Sequence, residues 1–457
     1  MLNPLRSARR VVLPVLILSL IAPALVVAAP QDEQERVAMA WIEAFNLGVE
    51  AMATFRTANV SLVQDGWRTM FERTREQWGP LAVYGVMVPE SGTVILGVES
   101  ENEGRMRLNF SFDDTNKING LGVEEPEGSA LPSLELPAGD PRPANAIDAY
   151  LGALAEDDLF SGTALIADRG DVWFERAYGL ASREWNVPNN VNTRFDVGSF
   201  NKDYTRLAIM QLMENDRLAL TDTVGEYLPE YPNDRVRGEV TIEQLLQHRS
   251  GLGDYFTMEW LQTPMGALET NADYIDIWGP MPLQAEPGER EEYSNFGYTV
   301  LGAIVESITG QSYPDYVEEH IFAPAGMNDT GFFRTDGIEP NVAVGYTSMN
   351  RNGSPGEELR KNIYHEPVIG GPWGKSYSTA RDLFRFFEAM FAGRLLSDEF
   401  NWLGAGWDGS MGLAGGGPGL SAILFIDDGI AVIVLANRDE PGAEDVARQI
   451  LRGLRDS

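Results

Sequence analysis

Arg194-Phe195-Asp196-Val197-Gly198-Ser199-Phe200-Asn201-Lys202, running on into the apolar stretch Leu207–Met213, is the part of the chain on which the reading turns. Arg194–Val197 is strand-like, Asp196 and Gly198 break the strand, and Leu207–Met213 is nearly all apolar, as in a buried helix. Ser199 and Lys202 therefore fall at the start of a predicted helix. Positions i and i+3 share a helix face, so Lys202 stands one turn below Ser199. A serine hydroxyl is a poor nucleophile unless a neighbour takes its proton. A buried lysine can take it, because burial lowers its pKa toward neutrality. The helix N-terminus also favours developing negative charge. The spacing alone is not decisive. Lysine occurs only at Lys117, Lys202, Lys361 and Lys375, and a serine three residues before a given lysine arises by chance in about one case in twenty.

A second constellation adds weight. Tyr293-Ser294-Asn295 follows Pro287-Gly288-Glu289 and precedes the apolar helix predicted over Tyr298–Ile308. A phenol can relay a proton between a serine and a leaving group, and an Asn amide can orient the lysine or the substrate. The other Tyr-x-Asn, Tyr231-Pro232-Asn233, lies in a proline-bounded turn with no rigid element after it. His248, a lone histidine, reads as a structural residue that satisfies local hydrogen bonds rather than as the partner of a Ser-His pair. Lys375, in a loop after Trp373-Gly374, reads as a solvated lysine, the alternative being a cation that serves the substrate in the cleft. Trp373 and Trp407 are candidates to line a cleft.

Around this centre the pattern predicts a helix over Ala146–Glu156 and a hairpin of Thr163–Asp168 with Val172–Tyr178 turning at Gly170-Asp171. A closing hairpin, Ser421–Ile426 with Ile430–Leu435, turns at Asp427-Asp428-Gly429. A last helix covers Ala443–Leu454. Strands from both ends with a long helical middle predict one antiparallel sheet with helices on its faces. The Gly415–Gly419 run precedes a strand, the wrong order for a phosphate loop. Residues 124–144 hold five prolines and read as a linker. Ahead of it, 31–123 reads as a small α+β unit. Its elements are a helix over Gln34–Arg56, a second over Leu62–Trp78, and strands Leu81–Val88, Thr93–Ser100, Arg105–Phe112 and Ile118–Val123. Residues 1–28 read as a secretory signal: Arg6, Arg9 and Arg10 precede the apolar Val11–Val27, and cleavage fits after Ala28. The expected compartment is periplasmic or extracellular, with no stable membrane span after signal removal; the alternative, an uncleaved membrane anchor, is disfavoured by Pro14 and Pro23 and by a run near the lower length limit for a span.

Composition narrows the chemistry. The 457 residues carry a net charge of −33 and no cysteine. That excludes disulfides, thiolate zinc sites and a cysteine nucleophile. A polyanion repels phosphate backbones, so no nucleic-acid partner is expected. The acidity reads as solubility. The three histidines, His248, His320 and His365, are far apart in sequence, so no metal centre is expected, nor any cofactor. Nothing in the sequence sets an oligomeric state.

From about 145 to 455 the chain resembles the serine hydrolases related to class C β-lactamases, D-Ala carboxypeptidases and family VIII esterases. The resemblance rests on Ser199-x-x-Lys202, Tyr293-Ser294-Asn295, Leu245–Leu252, Tyr377–Leu383 and the closing hairpin. It implies an α/β domain beside an all-helical one, with the site in the cleft between them. It implies acyl transfer, with Ser199 as nucleophile and Lys202 and Tyr293 handling protons. The small N-terminal unit resembles the cystatin-like cone fold. One departure stands out. The family's third motif is Lys or His, a small residue, then Gly, and here it reads Leu413-Ala414-Gly415. The backbone remains suited to an oxyanion hole made by the N–H groups of Gly416 and Ser199. What is missing is the cation that reads a substrate carboxylate. The expectation is therefore an esterase-type activity on a neutral ester or amide. The alternatives are a β-lactamase or D-amino-acid peptidase acting on cell-wall-type substrates, and a non-catalytic binding protein.

Overall fold

The computed structural model describes residues 33–456, apart from 61–67, 69–70, 72–73, 76–77, 88–92, 101–103, 113–114, 125–130, 352–354, 398–399, 401–405 and 440–441. The secretory pattern of residues 1–28 lies outside the described residues. The chain divides into two compact units, with the boundary along the sequence between residues 130 and 131.

In the first unit, helices α1 (Glu33–Leu47) and α2 (Val49–Asn59) accompany an antiparallel meander of β1 (Leu81–Met87), β2 (Thr93–Ser100), β3 (Gly104–Phe112) and β4 (Ile118–Glu124), in that order. The single helix expected over Gln34–Arg56 is broken at Gly48, whose φ of 108° is open to glycine and strained for other residues. Of the helix expected over Leu62–Trp78, residues Arg68, Phe71, Thr74, Arg75 and Trp78 are helical, and the others lie outside the described residues. Trp41 and Phe45 fall one turn apart on α1, stack at 5.2 Å, and meet Phe110 and Phe71. Val94, Leu96 and Val98 alternate along β2 to give the sheet its buried face.

The second unit is built on a five-stranded antiparallel sheet. Its strands are β5 (Gly162–Asp168), β6 (Asp171–Tyr178), β7 (Ser410–Gly417), β8 (Leu420–Asp427) and β9 (Ile430–Ala436), in the order β7-β8-β9-β5-β6. Strands from the two ends of the unit pair directly, Val434 opposite Ala164. The apolar run Ile430–Ala436 is explained by burial on both faces. On one side Val432 and Val434 join Ala164 and Ile166 against Ile147 and Leu151 of α3 (Ala144–Glu156) and Val446 and Ile450 of the last helix, Gly442–Asp456. On the other, Ile433 and Leu435 join the large core that includes α4 (Asn201–Glu214), α5 (Asn295–Thr309) and α6 (Ala380–Phe391). Within the proline-rich stretch, Leu131, Leu134 and Leu136 pack against the first of these layers, and Tyr150 donates to the Pro132 carbonyl. Three leucines at alternate or near-alternate positions let this segment cover apolar surface despite its prolines. Among the described residues no helix is long and apolar enough to cross a membrane.

Candidate active site

Ser199 stands on a sharp turn. The two-residue strand Phe195–Asp196 pairs with Tyr377–Ser378, and one 3₁₀ turn, Gly198–Phe200, leads into α4. Regular helix therefore starts two residues after Ser199, not at it. The i to i+3 relation survives because side chains three apart also align in a 3₁₀ turn. The turn is packed so closely that only glycine fits on either side of it. Gly198 has φ 51°, and a Cβ there would meet the Gly416 nitrogen at 3.1 Å. A Cβ on Gly415 would meet the Val197 carbonyl at 2.0 Å and the Ser199 nitrogen at 2.9 Å. Edge strand β7 is thereby pressed against the serine turn, with the backbone nitrogens of Ser199 and Gly416 on the same wall of the cleft. Asp196 accepts from the Gly198 N–H at 2.9 Å and fixes the turn from below.

Lys202 is buried and donates three hydrogen bonds, to Ser199 Oγ at 3.1 Å, Asn295 Oδ1 at 2.7 Å and the Trp373 carbonyl. All three acceptors are uncharged. Burial pulls the ammonium down to about 7, against the opposing pull of Asp254, Asp203 and Glu366. Tyr293 Oη lies 2.8 Å from Ser199 Oγ. Burial pushes this phenol up to about 12, so it is held protonated at neutral pH. Ser294 caps α5 by accepting from the Gly297 N–H at 2.9 Å, which fixes Tyr293 and Asn295 on either side of the helix start. Asn295 in turn donates from Nδ2 to Asp254 at 2.7 Å. The result is a continuous chain from Asp254 through Asn295 and Lys202 to Ser199 and Tyr293. It can take a proton from a hydroxyl and pass one on.

His248 is not paired with Ser199. Its Nδ1 accepts from the Ser294 N–H at 3.1 Å and its ring lies 4.5 Å from that of Tyr293. Burial, and then Lys202 and Arg206, lower it to about 4, so it is a neutral platform for the phenol. Its backbone is left-handed, with φ 57°.

The cleft around Ser199 has a volume of about 760 Å³. Trp373 lines it, whereas Trp407 packs against Phe384 and Phe391, away from the cleft lining. Lys375 is not the solvated loop residue expected. It is 2 % exposed, has φ 69°, and faces Asp196 at 3.8 Å. Leu413 does not take the place of a cleft cation. Its side chain packs with Met411 against the large core, and it is absent from the cleft lining. Sequence reading missed Asp254, Arg351 and Glu366, all of which line the cleft. Each lies on a loop, and no spacing signal could have found it. Among the described residues no group of three or more His, Asp or Glu side chains is placed to hold a metal ion.

Residues 147–456 match the Beta-lactamase family model. PbpX of Bacillus subtilis (strain 168) is 32% identical over 242 residues, which cover 52% of this chain and 57% of that protein. Penicillin-binding protein 4* of the same strain is 31% identical over 323 residues, covering 63% of this chain and 70% of its own. The chain thus spans little more than half the length of the first relative. The crystal structure of a penicillin-binding protein from Bacillus halodurans is 30% identical and superposes with a TM-score of 0.58 over 66% of this chain and 98% of that one. The antiparallel sheet, its helical layers and the serine turn have the β-lactamase/transpeptidase-like fold, and the chain belongs to the β-lactamase family of serine hydrolases.

Proposed function

We propose that the protein is an exported hydrolase that cleaves a neutral ester or amide through an acyl-enzyme on Ser199. The observation that carries this reading is the position of Ser199 Oγ, within hydrogen-bond reach of both Lys202 Nζ (3.1 Å) and Tyr293 Oη (2.8 Å). Near neutral pH a share of Lys202 is unprotonated and accepts the Ser199 proton as Oγ attacks the carbonyl carbon. The negative charge that develops on the carbonyl oxygen is met by the N–H groups of Ser199 and Gly416, each worth about 10²–10³ in rate. Tyr293, protonated and hydrogen-bonded to Oγ, hands its proton to the leaving alcohol or amine and is reprotonated from Lys202. Water then attacks the acyl-enzyme, losing its proton to the same pair and returning the free acid and Ser199. Asn295, held by Asp254, keeps the Lys202 ammonium aimed at Oγ.

The neutral-substrate part rests on the sequence alone, which reads Leu413-Ala414-Gly415 where the motif has Lys or His, a small residue and Gly. Export rests on the secretory pattern of residues 1–28, and N-terminal sequencing of the exported chain should begin at Ala29. Steady-state hydrolysis of a short p-nitrophenyl ester and of a penicillin tests the activity. The ester should be turned over with the higher kcat/KM, and Ser199→Ala should abolish turnover while the melting temperature stays near wild type. Residual activity in Ser199→Ala within about tenfold of wild type, a barrier change of only ~1.4 kcal/mol, would mean another nucleophile.

A further inference from the structure

Two acids line the cleft, Asp254 and Glu366, and their surroundings differ. Asp254 is engaged by the Asn295 side chain and backbone and by the Tyr255 N–H. Among the described residues, no hydrogen bond or ion pair within 4.0 Å reaches the Glu366 carboxylate. Its Oε1 lies 3.5 Å from the position a Cβ on Gly417 would take, so it sits beside β7 one residue beyond the proposed oxyanion donor Gly416. The cations nearby have other partners, although the buried Nε of Arg351 has no hydrogen-bond partner among the described residues. Lys375 faces Asp196 at 3.8 Å. Lys202 donates to Ser199, Asn295 and Trp373. Arg351 donates from its Nη2 to the carbonyls of Trp260 and Thr263, both at 3.1 Å. Burial raises the Glu366 carboxyl to about 7, with Asp196 adding to the rise and Lys375 and Lys202 opposing it. Glu366 is partly buried at the cleft wall, and a carboxylate held there with no hydrogen bond gains from a cation or strong donor placed beside it.

We propose that Glu366 is a specificity-determining residue that receives an ammonium group carried on the acyl part of the substrate, close to the scissile carbonyl. The inference rests on the acyl-enzyme reading above and narrows its substrate class to amino-acyl esters or amides. The third motif carries no cation in the sequence, Leu413 itself lying outside the cleft lining, and Glu366 presents an acid with no hydrogen bond among the described residues beside the strand proposed to hold the carbonyl oxygen. A substrate whose carbonyl oxygen points at the Gly416 N–H brings its next atoms along β7 toward Gly417, where Glu366 stands.

Three methyl esters that differ in one α-substituent test this on the full chain, with product followed chromatographically. They are phenylalanine methyl ester in both enantiomers (ammonium), 3-phenylpropionate methyl ester (hydrogen) and the benzylmalonate half-ester (carboxylate). The wild type should prefer one enantiomer of the ammonium ester over the hydrogen ester by roughly 10–100-fold in kcat/KM, and the carboxylate ester should be the poorest. Glu366→Gln should bring the ammonium-to-hydrogen ratio near one, and Glu366→Asp should keep part of it. Equal kcat/KM for the ammonium and hydrogen esters in the wild type, or a preference for the carboxylate ester, would overturn the proposal even if no variant folded. A ratio unchanged in a folded Glu366→Gln protein would overturn it as well. Absence of hydrolysis of all three esters together with no acylation of Ser199 would instead fail the acyl-enzyme reading and remove the ground of the proposal.

Discussion

Two lysines lie at one cleft, Lys375 in its wall and Lys202 behind Ser199, both nearly inaccessible to solvent, and their surroundings make them different groups. Lys202 is ringed by neutral acceptors, Ser199 Oγ, Asn295 Oδ1 and the Trp373 carbonyl, and burial draws it down to about 7. Lys375 faces acids. Burial pulls its ammonium down too, but Tyr377, Glu366 and Asp196 together hold it above the ordinary lysine range. Burial alone does not make a lysine a base. The base is the buried lysine whose partners carry no charge, because they orient the amine without stabilising its proton. Lys375 is a structural cation locked between the serine turn and the loop that wraps it. The Val197 N–H donates to the Ser376 carbonyl at 3.0 Å, and Asn201 Nδ2 donates to the Gly371 carbonyl at 2.9 Å.

The contrast can be broken by removing each amine in turn. Lys202→Met should lower kcat on a neutral ester by about 10²–10⁴-fold, the usual worth of a general base, while stability hardly changes. Lys202→Arg should be nearly as damaging, since Arg stays charged and its fork does not fit a point-charge site. An active Arg variant would mean that Lys202 supplies charge only. Lys375→Met should show the opposite pattern. It leaves Asp196 buried without its cation, so unfolding free energy should fall by about 3–5 kcal/mol in denaturant titration. Pairing it with Asp196→Asn should recover part of that loss. Equal destabilisation by the two Met substitutions would erase the distinction.

The pH dependence sharpens it further. In the proposed mechanism the unprotonated amine of Lys202 is the base. With that amine titrating at about 7, kcat/KM on a neutral ester should rise about tenfold per unit below pH 7 and level off above it. Glu366 titrates in the same region, so the rise should be measured again in Glu366→Gln, where it should persist. The smallest effect is expected at Leu413. Because this side chain packs against the core, Leu413→Lys should cost about 1–3 kcal/mol of stability and leave the ratio of penicillin to neutral-ester kcat/KM within about threefold of wild type. A large gain on the penicillin would mean that the new ammonium reaches the cleft.

The sheet was readable from local pattern because its strands are buried on one or both faces. Ile430–Leu435 and Thr163–Asp168 announce themselves by composition, and Asp427-Asp428-Gly429 by its turn chemistry. The Ser199–Lys202 relation was also readable, since a one-turn spacing fixes geometry whether the turn is α or 3₁₀. Tyr293 and Asn295 stood out because they enter an apolar helix. The rest of the cleft wall was not legible. Lys375 and Glu366 are loop residues whose burial is decided by what other segments lay over them. The direction in which Leu413 points depends on which face of β7 meets the serine turn. Gly48 divided a helix that periodicity alone drew as continuous.

The central claim is that an uncharged Lys202 activates Ser199. Covalent labelling with a fluorophosphonate, followed by peptide mass spectrometry and repeated from pH 5 to 9, tests it most directly. The account predicts a single adduct on Ser199, with a labelling rate that climbs through about pH 7 and collapses in Lys202→Met. An adduct on another residue, or a labelling rate on Ser199 that is indifferent to pH and to Lys202, would contradict it.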